Sequence, residues 1–236
     1  NMRPARGPWG GSSPFVVQLS RYLKTRGYDV CFDLRKKVDV IVLIDPRDDL
    51  QLKSFGMEEI RAYKKTNPKV KILHRINECD QRKDTKFMDE LLKRANETAD
   101  HTVFIASWLL EYHAERWFNM EESHSVIYNG ADPAIFHPIG STIYGQNENF
   151  RLVTHHWSDN WLKGFNEYKK IDQAISSGEL KNVDLWIVGR WPTDIKWKSA
   201  SLFAPTKGRK LADILRNCHA YVTASRWEPC GMHHVE

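Results

Sequence analysis

The sequence is poor in cysteine and lacks any long apolar run. Its four cysteines lie far apart and form no C-x-x-C pair, which predicts neither a disulfide framework nor a structural zinc site. No apolar segment approaches the roughly 18 residues that a membrane-spanning helix needs, which argues against an integral membrane protein. The first eleven residues contain basic side chains but no apolar core of the kind that a secretory signal has. These features together predict a cytoplasmic protein.

The composition also lacks the bias of a disordered or collagen-like chain. Hydrophobic residues make up 41% and charged residues 28% of the 236 positions, so the chain can build a packed core. At about 150 residues per domain, this length corresponds to one large or two small domains. The net charge of +5 is small, and the basic residues are scattered rather than striped. An anionic ligand is therefore allowed, whereas nucleic-acid binding is not indicated.

Short β-branched segments alternate with amphipathic ones in the first part of the chain. The predicted strands span residues 30–34, 38–44, 70–76, 102–106 and 125–128. The predicted helices span residues 15–23, 57–66, 87–95 and 107–118. Such alternation predicts a parallel sheet wound by right-handed crossovers. Residues 1–138 are therefore predicted to form one doubly wound domain that lacks its first strand, because the glycine-rich turn before the first helix has no strand ahead of it.

A polar segment interrupts the alternation of strands and helices, which resumes after it. Residues 139–150 are rich in Gly, Ser, Asn and Gln and are predicted to be a linker. Strands are predicted at residues 152–155, 184–188, 201–204 and 220–224, and helices at 165–176 and 210–217. Residues 151–236 are therefore predicted to form a second α/β domain, which is incomplete at its end.

Two glycine-containing turns are candidate anion sites. Gly10 and Gly11 offer backbone amides at a helix N-terminus, where hydrogen bonds and the helix dipole attract an anion. A tight turn between a strand and a helix explains the same residues equally well. Lys163, directly before Gly164, adds a positive charge at the start of another predicted helix, although a lone lysine is more often only a solvated charge.

The end of the sequence carries two glutamates, Glu228 and Glu236, at a spacing of eight residues. Pro229 and Gly231 prevent a continuous helix between them, which places Glu228 in a loop and Glu236 in the first turns that follow. Both carboxylates then lie near the backbone amides of Gly231 and Met232. This arrangement suits a ligand that carries both hydroxyl and phosphate groups, and the alternative is two ordinary surface glutamates.

The segment from Glu228 to Glu236 resembles the E-x7-E motif of retaining GT-B glycosyltransferases, specifically glycosyltransferase family 4. Residues 126–138 resemble the segment that precedes the interdomain linker of that family. Gly10-Gly11, Lys163-Gly164 and residues 186–189 follow in the matching order, so the resemblance covers nearly the whole chain. It implies two Rossmann-like, doubly wound domains with parallel sheets that face each other across a cleft, in a chain truncated at both ends.

The resemblance implies that a sugar passes, with retention of configuration, from a nucleotide-sugar donor to a carbohydrate or lipid-linked acceptor, as in polysaccharide biosynthesis. It implies no cofactor and no metal, and it gives catalytic roles to Glu228 and Lys163. The donor-binding residues that it implies are Gly10, Gly11, Lys163, Gly231, Met232, His233 and Glu236. Among these, Lys163 would bind the diphosphate, Glu236 the ribose hydroxyls, and Gly10 and Gly11 the diphosphate from the first domain. A lipid-linked acceptor would bring peripheral contact with the inner face of a membrane.

Two positions depart from the family pattern. Ser158 stands five residues before Lys163, where the family has an arginine, and Arg190 is a candidate to supply the missing charge. The acceptor-side histidine of many members has no clear match, because His74 lies inside a predicted strand. The acceptor-side candidates are instead the polar residues at the end of that strand, Asn77, Glu78 and Asp80.

Several alternatives remain open at this point. A non-hydrolysing epimerase of the GT-B class or a phosphorylase would use the same fold, and a truncated or degenerate chain could bind the nucleotide-sugar without catalysis. Metal sites are disfavoured: the aspartates at 45, 48 and 49 are typical of a solvated loop. The adjacent histidines at 155–156 and 233–234 are predicted to point apart.

Overall fold

The computed structural model describes residues 1–4, 11–48, 52–145 and 148–236, so Gly10 and Asp49 lie outside the described residues. The chain divides into two compact units. Unit 1 comprises residues 1–129 and 229–231, and unit 2 comprises residues 130–228 and 232–236. No helix in the described ranges has the length and apolar character needed to cross a bilayer.

Unit 1 contains a parallel sheet of four strands that are neighbours in chain order. The strands are β1 (Val40–Leu43), β2 (Lys71–Ile76), β3 (His101–Phe104) and β4 (His124–Val126). The helices are α1 (Ser12–Thr25), α2 (Met57–Thr66), α3 (Asp80–Lys83), α4 (Met88–Asn96) and α5 (Ser107–Ala114). The predicted alternation of strands and helices is confirmed here.

The strand predicted at residues 30–34 is wrong, because this segment forms bends. The carboxylate of Asp33 accepts a hydrogen bond from the backbone amide of Arg35, 3.1 Å away, and another from its guanidinium. Such a local bond offers the backbone an alternative to a sheet ladder. None of the residues from 30 to 36 is buried, so burial does not favour a strand there.

The core of unit 1 follows from the apolar character of its strands. Ile41 and Ile72, on adjacent strands, form a buried cluster with Ile60 of α2. A second cluster forms around Phe104 of β3 and Leu92 of α4. These clusters show that helices cover the sheet with apolar side chains.

Unit 2 contains a second parallel sheet of four strands, in the order β7-β6-β5-β8. The strands are β5 (Phe150–His156), β6 (Val183–Gly189), β7 (Ser201–Phe203) and β8 (Ala220–Tyr221). The helices are α6 (Phe165–Ser176) and α7 (Arg209–Arg216), with 3-10 helices at Trp161–Lys163 and Met232–His234. The α/β class is therefore confirmed in both units, and both sheets are compatible with Rossmann-like domains.

The strand order of unit 2 reverses beside β5. The chain adds β6 and then β7 on one side of β5, and β8 pairs with the other side through Leu152 and Val153. The carboxyl ends of β5 and β8 therefore flank a topological switch point. In open α/β sheets, ligands bind in the crevice at such a point.

Candidate functional site

The switch point of unit 2 collects polar side chains from three segments of the chain. β5 ends in His155 and His156, and the residues from Thr223 to Glu228 follow β8. The loop that leads from β5 into α6 carries Lys163. The structure thus brings together, at the carboxyl edge of one sheet, residues that lie far apart in sequence.

Lys163 and Glu228 form an ion pair at this edge. Their side chains are 18% and 9% exposed, so water screens the pair only in part. The loop around Lys163 is held against the segment after β8, since the amide of Arg226 donates to the carbonyl oxygen of Leu162 at 2.8 Å. Gly164 follows with φ 91°, and it is the residue from which α6 begins. The predicted position of Lys163 at the start of a helix is confirmed.

His155 and Glu236 form a second polar pair. Nε2 of His155 lies 2.9 Å from Oε2 of Glu236. An ionised carboxylate only accepts hydrogen bonds, so the proton of this bond belongs to Nε2. Nδ1 of His155 is buried and has no hydrogen-bond partner among the described residues. Glu236 also follows a 3-10 turn, in which its amide donates to the carbonyl oxygen of Met232 at 2.9 Å.

His156 points to different partners from those of His155. Its Nε2 lies 3.0 Å from the hydroxyl oxygens of both Thr154 and Tyr168. Burial, followed by the nearby ammonium of Lys163, lowers the pKa of His156 to about 2, so this imidazole is neutral at physiological pH. The prediction that the adjacent histidines point apart is therefore confirmed for this pair.

Aromatic rings line the same edge. The imidazole of His233 stacks on the ring of Tyr221, with centroids 5.5 Å apart and an interplanar angle of 19°. Burial, and then the neighbouring His234, lowers the pKa of His233 to about 3. Tyr221 is also tied to β5, because its hydroxyl accepts from the amide of His155 at 3.0 Å. The ammonium of Lys163 pairs with Glu228, and the carboxylate of Glu236 pairs with His155 at the same edge of the sheet.

The remaining donor-side candidates, Arg190, Gly231 and Met232, differ in how far they are buried and in the unit to which they belong. Arg190 follows β6 directly; its amide donates to the carbonyl oxygen of His156 at 2.8 Å, and its side chain is exposed. Met232 begins the 3-10 turn and is half-buried. Gly231 is buried and belongs to unit 1. Where a helix is expected after Gly231, the described residues form a 3-10 turn at Met232–His234.

The candidates predicted in unit 1 lie at or after the end of β2 and at the start of α1. Gly11 is the residue from which α1 begins. Asn77 follows β2, and its side-chain amide donates to Oγ of Ser12 at 3.1 Å. Glu78 is buried and forms ion pairs with Arg82 and Lys83.

Asp80 is tied to the segment that follows it. Its carboxylate accepts from the hydroxyl of Thr85 at 2.6 Å and from the amide of Met88 at 2.8 Å. Burial alone would raise the pKa of Asp80, but these hydrogen bonds outweigh that effect and lower it. His74 lies inside β2 and is fully buried, as predicted, and its Nδ1 lies 2.9 Å from the side-chain oxygen of Asn96.

Sequence reasoning missed the roles of His155 and Tyr221. In the sequence, His155 suggests only a metal ligand, yet it is the partner of Glu236. The available signal was its position, because a polar residue at the carboxyl end of a buried parallel strand faces the ligand edge. In the described ranges, no group of three or more His, Cys, Asp or Glu residues is placed to hold a metal ion.

Comparisons with known proteins add little to this geometry. The chain matches no protein-family model and no curated protein. Among solved structures, it is similar to one described as the crystal structure of the GtfA/B complex, with a TM-score of 0.38 and 11% sequence identity. The similarity covers 75% of this chain and 32% of that chain, so this chain spans about a third of the length of its neighbour. At this TM-score the likeness does not identify a family, and the resemblance to glycosyltransferase family 4 stays a prediction.

Proposed function

We propose that the chain is part of a retaining, metal-independent glycosyltransferase of the GT-B class and that unit 2 binds its nucleotide-sugar donor. The observation that carries this proposal is the convergence of Lys163, Glu228 and Glu236 on the switch point of the unit 2 sheet. A nucleotide-sugar carries a diphosphate between two polyhydroxylated rings. A cation and two carboxylates at one edge of a sheet have the complementary chemistry.

In this proposal, Lys163 and the N-terminal end of α6 stabilise the charge that develops on the diphosphate. The bond between the anomeric carbon and the diphosphate oxygen breaks, and its electron pair leaves with the diphosphate. The acceptor oxygen bonds to the anomeric carbon on the same face, and its proton passes to the leaving phosphate oxygen. Because the lysine and the helix dipole supply positive charge, the departing diphosphate needs no divalent cation.

The two carboxylates take different parts of the donor. Glu236, held by His155, accepts from the ribose hydroxyls, as acidic residues do in dinucleotide-binding sheets. Glu228 contacts the donor sugar beside Lys163. A bound diphosphate competes with Glu228 for the ammonium of Lys163, so ligand binding rearranges this ion pair. The acceptor, a carbohydrate or a lipid-linked carbohydrate, is assigned to residues of unit 1.

A screen of nucleoside diphosphates and their sugar conjugates by thermal shift tests this proposal. A ligand at 100 times its dissociation constant stabilises the folded state by roughly 2.7 kcal/mol. We expect stabilisation by at least one nucleotide-sugar, and we expect EDTA to leave it unchanged. A protein that responds to none of these ligands, or only in the presence of a divalent cation, contradicts the proposed donor site.

A second measurement separates transfer from its alternatives. Donor turnover is followed with and without carbohydrate acceptors, and the anomeric configuration of the product is read by NMR. Turnover that depends on the acceptor, with retained configuration, supports the proposal. Donor isomerisation without acceptor identifies an epimerase, and binding without any turnover identifies a non-catalytic binding protein.

A further inference from the structure

Arg75 of β2 is a buried cation in unit 1. The residue is only 3% exposed, and its guanidinium lies 4.0 Å from the ring centroid of Phe15. Nη2 donates to the side-chain oxygen of Asn129 at 2.7 Å. Nη1 is buried and has no hydrogen-bond partner within the described part of the chain.

Within the part of the chain that the structure describes, no carboxylate neutralises the charge of Arg75. Among the described residues, no Asp or Glu forms an ion pair with it, and its side-chain hydrogen bond goes to a neutral amide. Burial lowers the pKa of Arg75 to about 10, so the group still carries its proton at neutral pH. A buried charge without a counter-charge is costly. A hydrogen-bond acceptor at Nη1 would therefore stabilise the guanidinium.

The surroundings of Arg75 favour an anion. Phe15, under the guanidinium, lies in the first turn of α1, which has 14 residues. α1 begins from Gly11, which offers no side chain to cap the helix amides. Asn77 also reaches this turn, through its bond to Ser12. The positive end of the helix dipole and the unsatisfied guanidinium N–H therefore act in the same neighbourhood.

We propose that Arg75, oriented by Asn129 and assisted by the start of α1, binds an oxyanion, a phosphate or a carboxylate group, of a ligand held by unit 1. Arginine forms strong charge-assisted hydrogen bonds to both groups. Asn129 acts as a positioning residue, since its own amides are bound to Cys230: its backbone amide lies 3.2 Å from Sγ and its side-chain amide 2.9 Å from the carbonyl oxygen. The site concerns unit 1 alone, and it does not depend on nucleotide binding by unit 2.

Calorimetric titration of the whole chain with inorganic phosphate, and separately with acetate, at constant ionic strength tests this inference. The wild-type protein binds at least one of the two anions saturably, with one site per chain. Arg75→Met, which keeps much of the side-chain volume, loses at least tenfold in affinity. Arg94→Met, on an exposed arginine of α4, is the matched control and binds like wild type.

Folding is checked in the same series. In chloride, Arg75→Met melts at or above the wild-type temperature, because an uncompensated buried charge has been removed. If that variant does not fold, Arg75→Lys keeps the charge without the planar fork and still weakens anion binding. Absence of saturable binding in the wild type, or equal affinity in the wild type and the Arg75 variants, overturns the inference.

Discussion

Nε2 of His155 lies 2.9 Å from Oε2 of Glu236, although the two residues are 81 positions apart in the sequence. The side chains of His155 and Glu236 are 2% and 12% exposed. His155 is fixed on β5, in the centre of the sheet, whereas Glu236 follows a short 3-10 turn. The strand therefore orients a carboxylate that the local chain holds only weakly.

The bond between His155 and Glu236 is expected to control recognition of the ribose. His155→Leu should weaken a nucleoside diphosphate about tenfold, because a hydrogen bond to a charged group contributes roughly 1.5–3 kcal/mol and Glu236 would lose its orientation. The effect should be much smaller for the 2′-deoxy ligand, which offers one hydroxyl fewer. Calorimetry with both ligands measures the difference, and His155→Gln, which keeps an N–H donor, should restore part of it. An equal loss for both ligands would show that His155 supports only the fold.

Lys163, which pairs with Glu228, is expected to act on the phosphate groups of the ligand rather than on the fold. Lys163→Ala should weaken a nucleoside diphosphate by one to two decades and the nucleoside hardly at all, since a charge-assisted bond contributes roughly 1.5–3 kcal/mol. Lys170→Ala is the control, because Lys170 pairs with Glu167 on the exposed surface of α6. Titration of each variant with both ligands gives the answer. The interpretation fails if the diphosphate and the nucleoside are weakened equally.

Gly164 is expected to be intolerant of a side chain. A Cβ at this position would lie 2.5 Å from Cβ and 2.7 Å from the carbonyl oxygen of Ala224, and φ is 91°. Gly164→Ala should cost about 2–4 kcal/mol, the sum of backbone strain and overlap. Gly178 has φ 79° but nothing within 4 Å of such a Cβ, so Gly178→Ala should cost only about 1 kcal/mol. Urea unfolding of both variants tests the comparison, which predicts a clear gap between them.

Acid is expected to destabilise the fold from about pH 6.5 downwards. Burial lowers the pKa of His74 to about 4, of His156 to about 2 and of His233 to about 3, from the ordinary value of 6.5. Below pH 6.5 the unfolded chain therefore binds protons at these imidazoles that the folded chain does not bind. The free energy of unfolding is highest above pH 6.5 and falls as the pH is lowered. Each imidazole contributes a loss of roughly 1.4 kcal/mol per pH unit in this range.

Urea unfolding between pH 8 and pH 5 measures this dependence. His156→Gln should lower stability at pH 8 but reduce the slope below pH 6.5 by roughly 1.4 kcal/mol per pH unit, the contribution of one imidazole. The curve between pH 7.5 and pH 8 should be nearly flat and serves as the internal control. A slope that is unchanged in the variant would exclude His156 as a source of the acid sensitivity.

The sequence by itself determined the local structure of this protein. The runs of β-branched residues located all eight strands of the described residues to within a few residues. The apolar periodicity gave α2 and α6 their observed bounds, residues 57–66 and 165–176. Such patterns work because they report which face of a segment is buried, and burial is decided within a few residues. The bends at residues 32–36 escaped this reasoning, because a local hydrogen bond from the amide of Arg35 to the carboxylate of Asp33 competed with the strand.

Only the tertiary structure decided which residues meet. The placement of β8 beside β5 creates the switch point, and no local pattern records the order of strands in a sheet. The same placement pairs His155 with Glu236 and Lys163 with Glu228, residues separated by 81 and 65 positions. The isolation of Arg75 from any described carboxylate is likewise a property of packing. Periodicity reveals that a side chain is buried, but its partners depend on which distant segments the folded core brings beside it.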